Sequence, residues 1–188
     1  MAVCDSGCVI PLPAPYGNAC GVVTKPGGIN RIGFITCDYE FVDITDQAEW
    51  DAAIAAGDAI WSGSLMGSKP KGSFTKKRVS SCASEQVVGA EKSIVFQDYN
   101  SDEAGGTAEY VFWNTILANP AAFRLVYITC DEWLYGPIDD FTIEVDEVID
   151  DNKNGNRFMD GSIFWDNIDM AEPVEVDLDF DQDSSVFV

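Results

Sequence analysis

From Ile29 to Tyr39 the chain alternates. Ile32, Phe34 and Thr36 fall on one side of an extended backbone, and Ile35, Cys37 and Tyr39 on the other, so the run INRIGFITCDYEFVDI is predicted as a strand. The period then changes. In TDQAEWDAAIAAGD the residues Trp50, Ala53, Ile54 and Gly57 share one helical stripe. Thr45 or Asp46 can cap it, Glu49 puts a carboxylate in the first turn and Gly57 can end it, which predicts a short helix over 46–56.

The same reading continues along the chain. EKSIVFQDYN reads as a strand, and TAEYVFWNTILANPAAF as a helix with Tyr110, Trp113, Asn114 and Leu117 on one stripe, stopped by Asn119-Pro120. FRLVYITCDEWLYG reads as a further strand. Within it Ile128 to Asp131 repeats the letters of Ile35 to Asp38, which fits two similar core strands lying side by side. Phe141, Ile143 and Val145 then alternate with Thr142, Glu144 and Asp146, and Phe158 to Trp165 is a second β-prone run; DNKNGN between them is turn-forming. The expected fold is mainly β (α+β): an antiparallel β-sandwich or barrel with one or two short flanking helices and extended arms. Residues 1–28, punctuated by Pro11, Pro13, Pro15, Pro26 and five glycines, form the expected N-terminal arm. Residues 29–171 form a single assembly domain, and 172–188 an acidic C-terminal strand or tail.

Composition narrows the function. With 46% hydrophobic and 12% aromatic residues in 188, the chain can bury one sizeable core. No apolar run approaches the ~20 residues of a membrane span, and the first residues lack the basic and apolar regions of a secretory signal. The formal net charge is −21, unevenly placed: residues 139–188 carry sixteen acids against Lys153 and Arg157, a local −14. Such a surface repels nucleic acid on average. The opposite sign is gathered in SGSLMGSKPKGSFTKKRVSSCAS, where Lys69, Lys71, Lys76, Lys77 and Arg78 stand almost without acid. That segment reads either as a solvated hairpin or as a basic arm for an acidic neighbour, which can be another copy of the chain.

Candidate chemistry is sparse. The chain has no histidine, which excludes Ser-His-Asp and Cys-His mechanisms, and nothing in the spacing of its carboxylates nominates a catalytic pair. The six cysteines are expected as thiols, and Cys4, Cys8 and Cys20 supply three zinc ligands at best. No cofactor and no enzyme activity is expected. DDNKNGNRFMDG, residues 150–161, starts like an EF-hand loop, but its twelfth position is Gly161 where a bidentate Glu is needed, and both flanks alternate like strands. A hairpin turn accounts for the same letters. The alternative is a calcium site of another kind using Asp150, Asp151 and Asp160, in a calcium-binding β-domain of a surface or adhesive protein.

A helix ending in NTILANPAAF, followed by RLVYITCDEWLYGPIDDFTIEVDEVI with its DFTIEVD strand after a Gly-Pro turn, resembles the tail-tube and related ring-forming virion proteins of tailed bacteriophages. GGINRIGFITCD, ITDQAEWDAAIAAG and GNRFMDGSIFW look like structural proteins of phages infecting Bacteroidetes, including crAss-like ones. The resemblance spans about residues 27–170. It implies a β-sandwich or barrel that assembles into stacked rings, in a virion built in the host cytoplasm. The expected partners are copies of itself in a hexameric ring or tube, other virion proteins, and DNA that passes without sequence-specific binding; no membrane is involved. Asp139, Asp140, Glu144, Asp146 and Glu147 are the candidates to line a lumen, and the basic stretch 69–78 is the candidate inter-subunit arm.

Overall fold

The computed structural model describes residues 27–78, 80–81, 84–99, 108–149, 157–169 and 172–179. The N-terminal arm up to residue 26 and the tail beyond 179 lie outside these residues. The fold is mainly β and antiparallel: among the described residues there are ten strands in one open sheet, with two α-helices. In chain order these are β1 (Ile29–Thr36), α1 (Gln47–Ala56), β2 (Ala59–Trp61), β3 (Met66–Ser68), β4 (Ser73–Arg78), β5 (Glu85–Asp98), α2 (Ala108–Ala118), β6 (Phe123–Thr129), β7 (Trp133–Ile138), β8 (Phe141–Ile149), β9 (Arg157–Asp166) and β10 (Val174–Glu175).

The sheet doubles back on itself. One half runs β10-β7-β6-β1, with β2 also on β1; the other runs β5-β9-β8, with β4 on β5. The three-residue β3 joins them by pairing with both β1 and β5. Between the halves lies the larger core. Ile32 and Phe34 of β1 and Leu125 and Tyr127 of β6 face Ile94 and Phe96 of β5, Phe141 of β8 and Ile163 and Trp165 of β9. The rings of Phe34 and Phe141 come within 5.7 Å, centroid to centroid. Helix α2 closes this core with Trp113 and Ile116, and the Trp113 ring stacks on Phe96 at 4.7 Å.

The other face of β1 and β6 serves a second core. Ile35, Val126, Ile128 and Leu134 pack there against Trp50 and Ala53 of α1 and against Val176. This is the two-faced strand that the alternation at Ile29–Tyr39 predicts, although β1 stops at Thr36. Helix α1 matches its expectation closely. Asp46 accepts from the Ala48 N–H at 3.0 Å, and Gly57 ends the helix with φ 82°. Glu49 holds the preceding loop as well, accepting from the Val42 and Asp43 N–H groups at 2.6 and 2.8 Å.

Three expectations change. FRLVYITCDEWLYG is a hairpin, not one strand: β6 and β7 pair antiparallel around a tight turn in which Glu132 takes φ 65°. The repeated ITCD letters do lie on paired strands, β1 and β6, but antiparallel pairing puts the copies at opposite ends, with Cys37 and Cys130 exposed just past each strand. Gly136-Pro137 sits inside β7, and the turn into β8 is Asp139-Asp140 instead. On α2, Trp113 and Ile116 are the buried pair while Asn114 is exposed, because the Trp113 ring packs against Phe34 and Phe96.

Candidate functional site

The half-sheet β4-β5-β9-β8 has a free strand at each end, and the two free strands differ in charge. Among the described residues β4 pairs only with β5. It carries Lys76, Lys77 and Arg78, and every one of its residues is exposed. The first part of β5, Glu85 to Val88, is exposed too, so the two strands form a hairpin that stands out from the body. Phe74, Val87 and Val88 are between 42% and 48% exposed on it, an apolar surface unusual for a solvated arm. A register shift between Thr75 and Lys76 interrupts the β4–β5 ladder at the point where the hairpin leaves the core.

β8 ends the half-sheet on the other side. It pairs with β9 from Phe141–Trp165 through Ile149–Arg157 and with no other strand among the described residues. Phe141, Ile143 and Val145 turn inward; Thr142, Glu144 and Asp146 turn outward, as the alternation predicts. A strand edge with no further strand on it is a template for pairing with another chain.

Between these edges, the outward face of β5, β9 and β8 is uncovered by any described element and strongly acidic. Glu144, Asp146, Asp160, Asp166 and Glu91 lie on it, all exposed. Asp146 stands directly opposite Asp160 in the β8–β9 register, and Glu91 opposite Asp166 in the β5–β9 register. Like charges facing across strands destabilise a sheet. Two such pairs on one face therefore cost stability in the isolated chain.

The five lumen candidates separate. Glu144 and Asp146 lie on the acidic face. Asp139 and Asp140 form the turn before β8, at one end of that face, with Asp140 at φ 51°. Glu147 points the opposite way, toward α2. There it accepts from the Tyr110 hydroxyl and pairs with Arg157 at 3.2 Å, while Arg157 also stacks over the Tyr110 ring. The bond to Glu147 holds the Tyr110 hydroxyl above its usual range. Glu147 is thus part of the joint between α2 and the β8–β9 hairpin. Asp160, Asp166 and Glu91 take its place on the acidic face. The signal that could have found Asp160 and Asp166 is the period of two in Asp160, Ser162, Phe164 and Asp166.

The basic stretch divides as well. Lys76, Lys77 and Arg78 belong to the β4 edge, whereas Lys69 and Lys71 sit in the β3–β4 loop, beside the inner cavity. Of the calcium candidates, Asp150 and Asp151 lie outside the described residues, and Asp160 is on the acidic face. Residues 150–156 join two directly paired strands, so the helical flanks of an EF-hand are absent. Among the described residues no group of three or more His, Cys, Asp or Glu side chains is placed to hold a metal ion, and no helix is long and apolar enough to cross a membrane. No family model, curated protein or solved structure matches the chain.

Proposed function

We propose that the protein is a self-assembling structural subunit whose copies join edge to edge into a ring or tube. The observation that carries this reading is the pair of opposed edges on one half-sheet: cationic β4 on one side, β8 with its acidic face on the other. Edge-to-edge pairing of β4 on one copy with β8 on the next is heterologous, so it repeats until a ring closes. Opposite charge selects that pairing over β4 with β4 or β8 with β8. The exposed Phe74, Val87 and Val88 on the hairpin are then covered by the neighbour.

The same arrangement orients the wall of the ring. One face of the half-sheet is packed by the rest of the chain, so the uncovered face is the one available to line a channel. Its acids repel phosphate and let DNA move without adhering. The cross-strand acid pairs, a cost to the lone subunit, have a purpose in that setting. The resemblance to phage tail-tube and related ring proteins supplies the biological frame: a virion subunit, assembled in the host cytoplasm with other virion proteins, and a hexameric ring.

Negative-stain microscopy of the purified protein at neutral pH tests the proposal. Rings or tubes are the expected result, and a strictly monomeric species at every concentration and salt would overturn it. The calcium-binding alternative predicts instead that millimolar calcium raises the melting temperature of the monomer and that chelation lowers it.

A further inference from the structure

A second feature lies at the seam of the sandwich and owes nothing to assembly. β4 pairs with β5 up to Glu91, and β3 pairs with β5 from Val95 onward, so residues 92–94 have no strand partner on that side. The β3–β4 loop arches over the gap. It passes so close that a Cβ at Gly72 would lie 2.7 Å from the Glu91 carbonyl oxygen and 3.3 Å from Lys92 Cγ. Beneath it a cavity of about 960 Å3 opens between the two halves of the sheet.

Its walls combine two kinds of group. Tyr127 and Tyr135 stack flat at 4.7 Å and 4°, and Trp165 stands 6.4 Å from Tyr127, centroid to centroid. Lys92, only 8% exposed, enters from β5, and Lys69 and Lys71 enter from the loop. Glu172 is also in the wall, but no carboxylate among the described residues lies within 4.0 Å of these three ammonium groups. The Asp169 carbonyl is the one acceptor for Lys92 among the described residues. Burial, and next the charge of Lys92, hold the Lys69 ammonium below its usual range. In a chain of net charge −21, cations gathered here without carboxylate partners among the described residues are conspicuous.

We propose that this cavity binds a small aromatic anion, its charged end at Lys69 and Lys92 and its flat body against Tyr135 and Trp165. A buried ammonium such as that of Lys92 is costly unless paired, and a carboxylate or phosphate between it and the exposed Lys69 supplies charge-assisted hydrogen bonds to both. The aromatic walls recognise the rest of the ligand, because flat apolar rings pack against rings. An anion bound there also removes the repulsion between Lys69 and Lys92.

Calorimetric titration of the purified protein with phenyl phosphate, benzoate, inorganic phosphate and benzyl alcohol tests this. Phenyl phosphate or benzoate is expected to bind roughly tenfold or more tightly than benzyl alcohol, which lacks the charge, and than inorganic phosphate, which lacks the ring. Lys69→Gln, at an exposed loop position, is expected to weaken the aromatic anion by roughly tenfold. Lys92→Met is expected to do the same where it folds; Lys69→Gln decides the matter where it does not. Absence of saturable binding by either aromatic anion up to about 10 mM, equal binding of benzyl alcohol, or unchanged affinity in Lys69→Gln would overturn the assignment. Loss of ring assembly leaves the result untouched, since the cavity lies within one chain.

Discussion

Reversing the charge of the β4 edge should dissolve the assembly without unfolding the subunit. The cleanest perturbation is the double variant Lys76→Glu and Lys77→Glu. These residues face Val87 and Gln86 across the hairpin, and neither makes an ion pair among the described residues, so the monomer loses little. Successive strand residues point to opposite faces, so in the ring one of the two would share a face with Glu144 and Asp146 of the next copy. An exposed pair of this kind contributes about 0.2–1 kcal/mol, and reversal turns one attraction into a repulsion, a change of about 0.4–2 kcal/mol per interface. That shifts the concentration for half-assembly upward by roughly 2- to 30-fold. Sedimentation velocity across a concentration series measures this shift, with a circular-dichroism melt to show that the fold is kept. High salt should weaken the wild-type assembly in the same direction, because exposed charges are screened beyond about 8 Å at physiological ionic strength. The quadruple variant that adds Glu144→Lys and Asp146→Lys restores complementarity with the signs exchanged, and should assemble again. Wild-type assembly by the double variant at low salt, or no recovery in the quadruple variant, would refute the edge pairing.

Other consequences are local. Gly161→Ala places a Cβ 2.3 Å from Phe96 Cζ, on a ring already stacked against Trp113, so it should destabilise the fold by about 1–3 kcal/mol; an unchanged urea midpoint would contradict this packing. Burial, with the neighbouring Tyr135 adding to it, holds the Tyr127 hydroxyl far above the ordinary tyrosine range. Its contribution to stability is therefore complete below about pH 10, where an unfolded tyrosine titrates, and declines above that by up to about 1.4 kcal/mol per pH unit as the unfolded chain gives up its proton first. Tyr127→Phe should flatten this part of the alkaline stability profile relative to wild type, and parallel profiles would count against it. Asp46→Ala removes the cap of α1 and should cost about 1 kcal/mol in a chemical melt, whereas Asp46→Ser should keep most of it.

Much of the fold was legible because its strands and helices are strongly periodic. β1, β8, β9 and α1 each place the apolar side chains where their spacing demands, and the cap residues of α1 act as their chemistry predicts. The misreadings have local causes. FRLVYITCDEWLYG is apolar on both sides of its turn, since β6 is buried on both faces, and its polar break, Asp131-Glu132, is only two residues long and carries no glycine or proline. Asn114 fits the stripe of α2 by spacing alone, but it is Trp113 and Ile116 that the helix buries in the core.

For the candidate site the division is sharper. The sequence by itself determined that acids gather late, that bases gather between Lys69 and Arg78, and that histidine-based catalysis is absent; these are facts of composition and order. It also set the inward and outward faces of β8, because alternation is a property of any extended chain. Only the tertiary structure decided that β4 and β8 end the same half-sheet, that Glu147 turns to Tyr110 and Arg157 while Asp160 faces Asp146, and that Lys69 joins the distant Lys92 around a cavity. Strand order and register are set by which apolar faces bury together over long separations. No local run of letters carries that information, because each strand is satisfied equally well by several neighbours until the whole core closes.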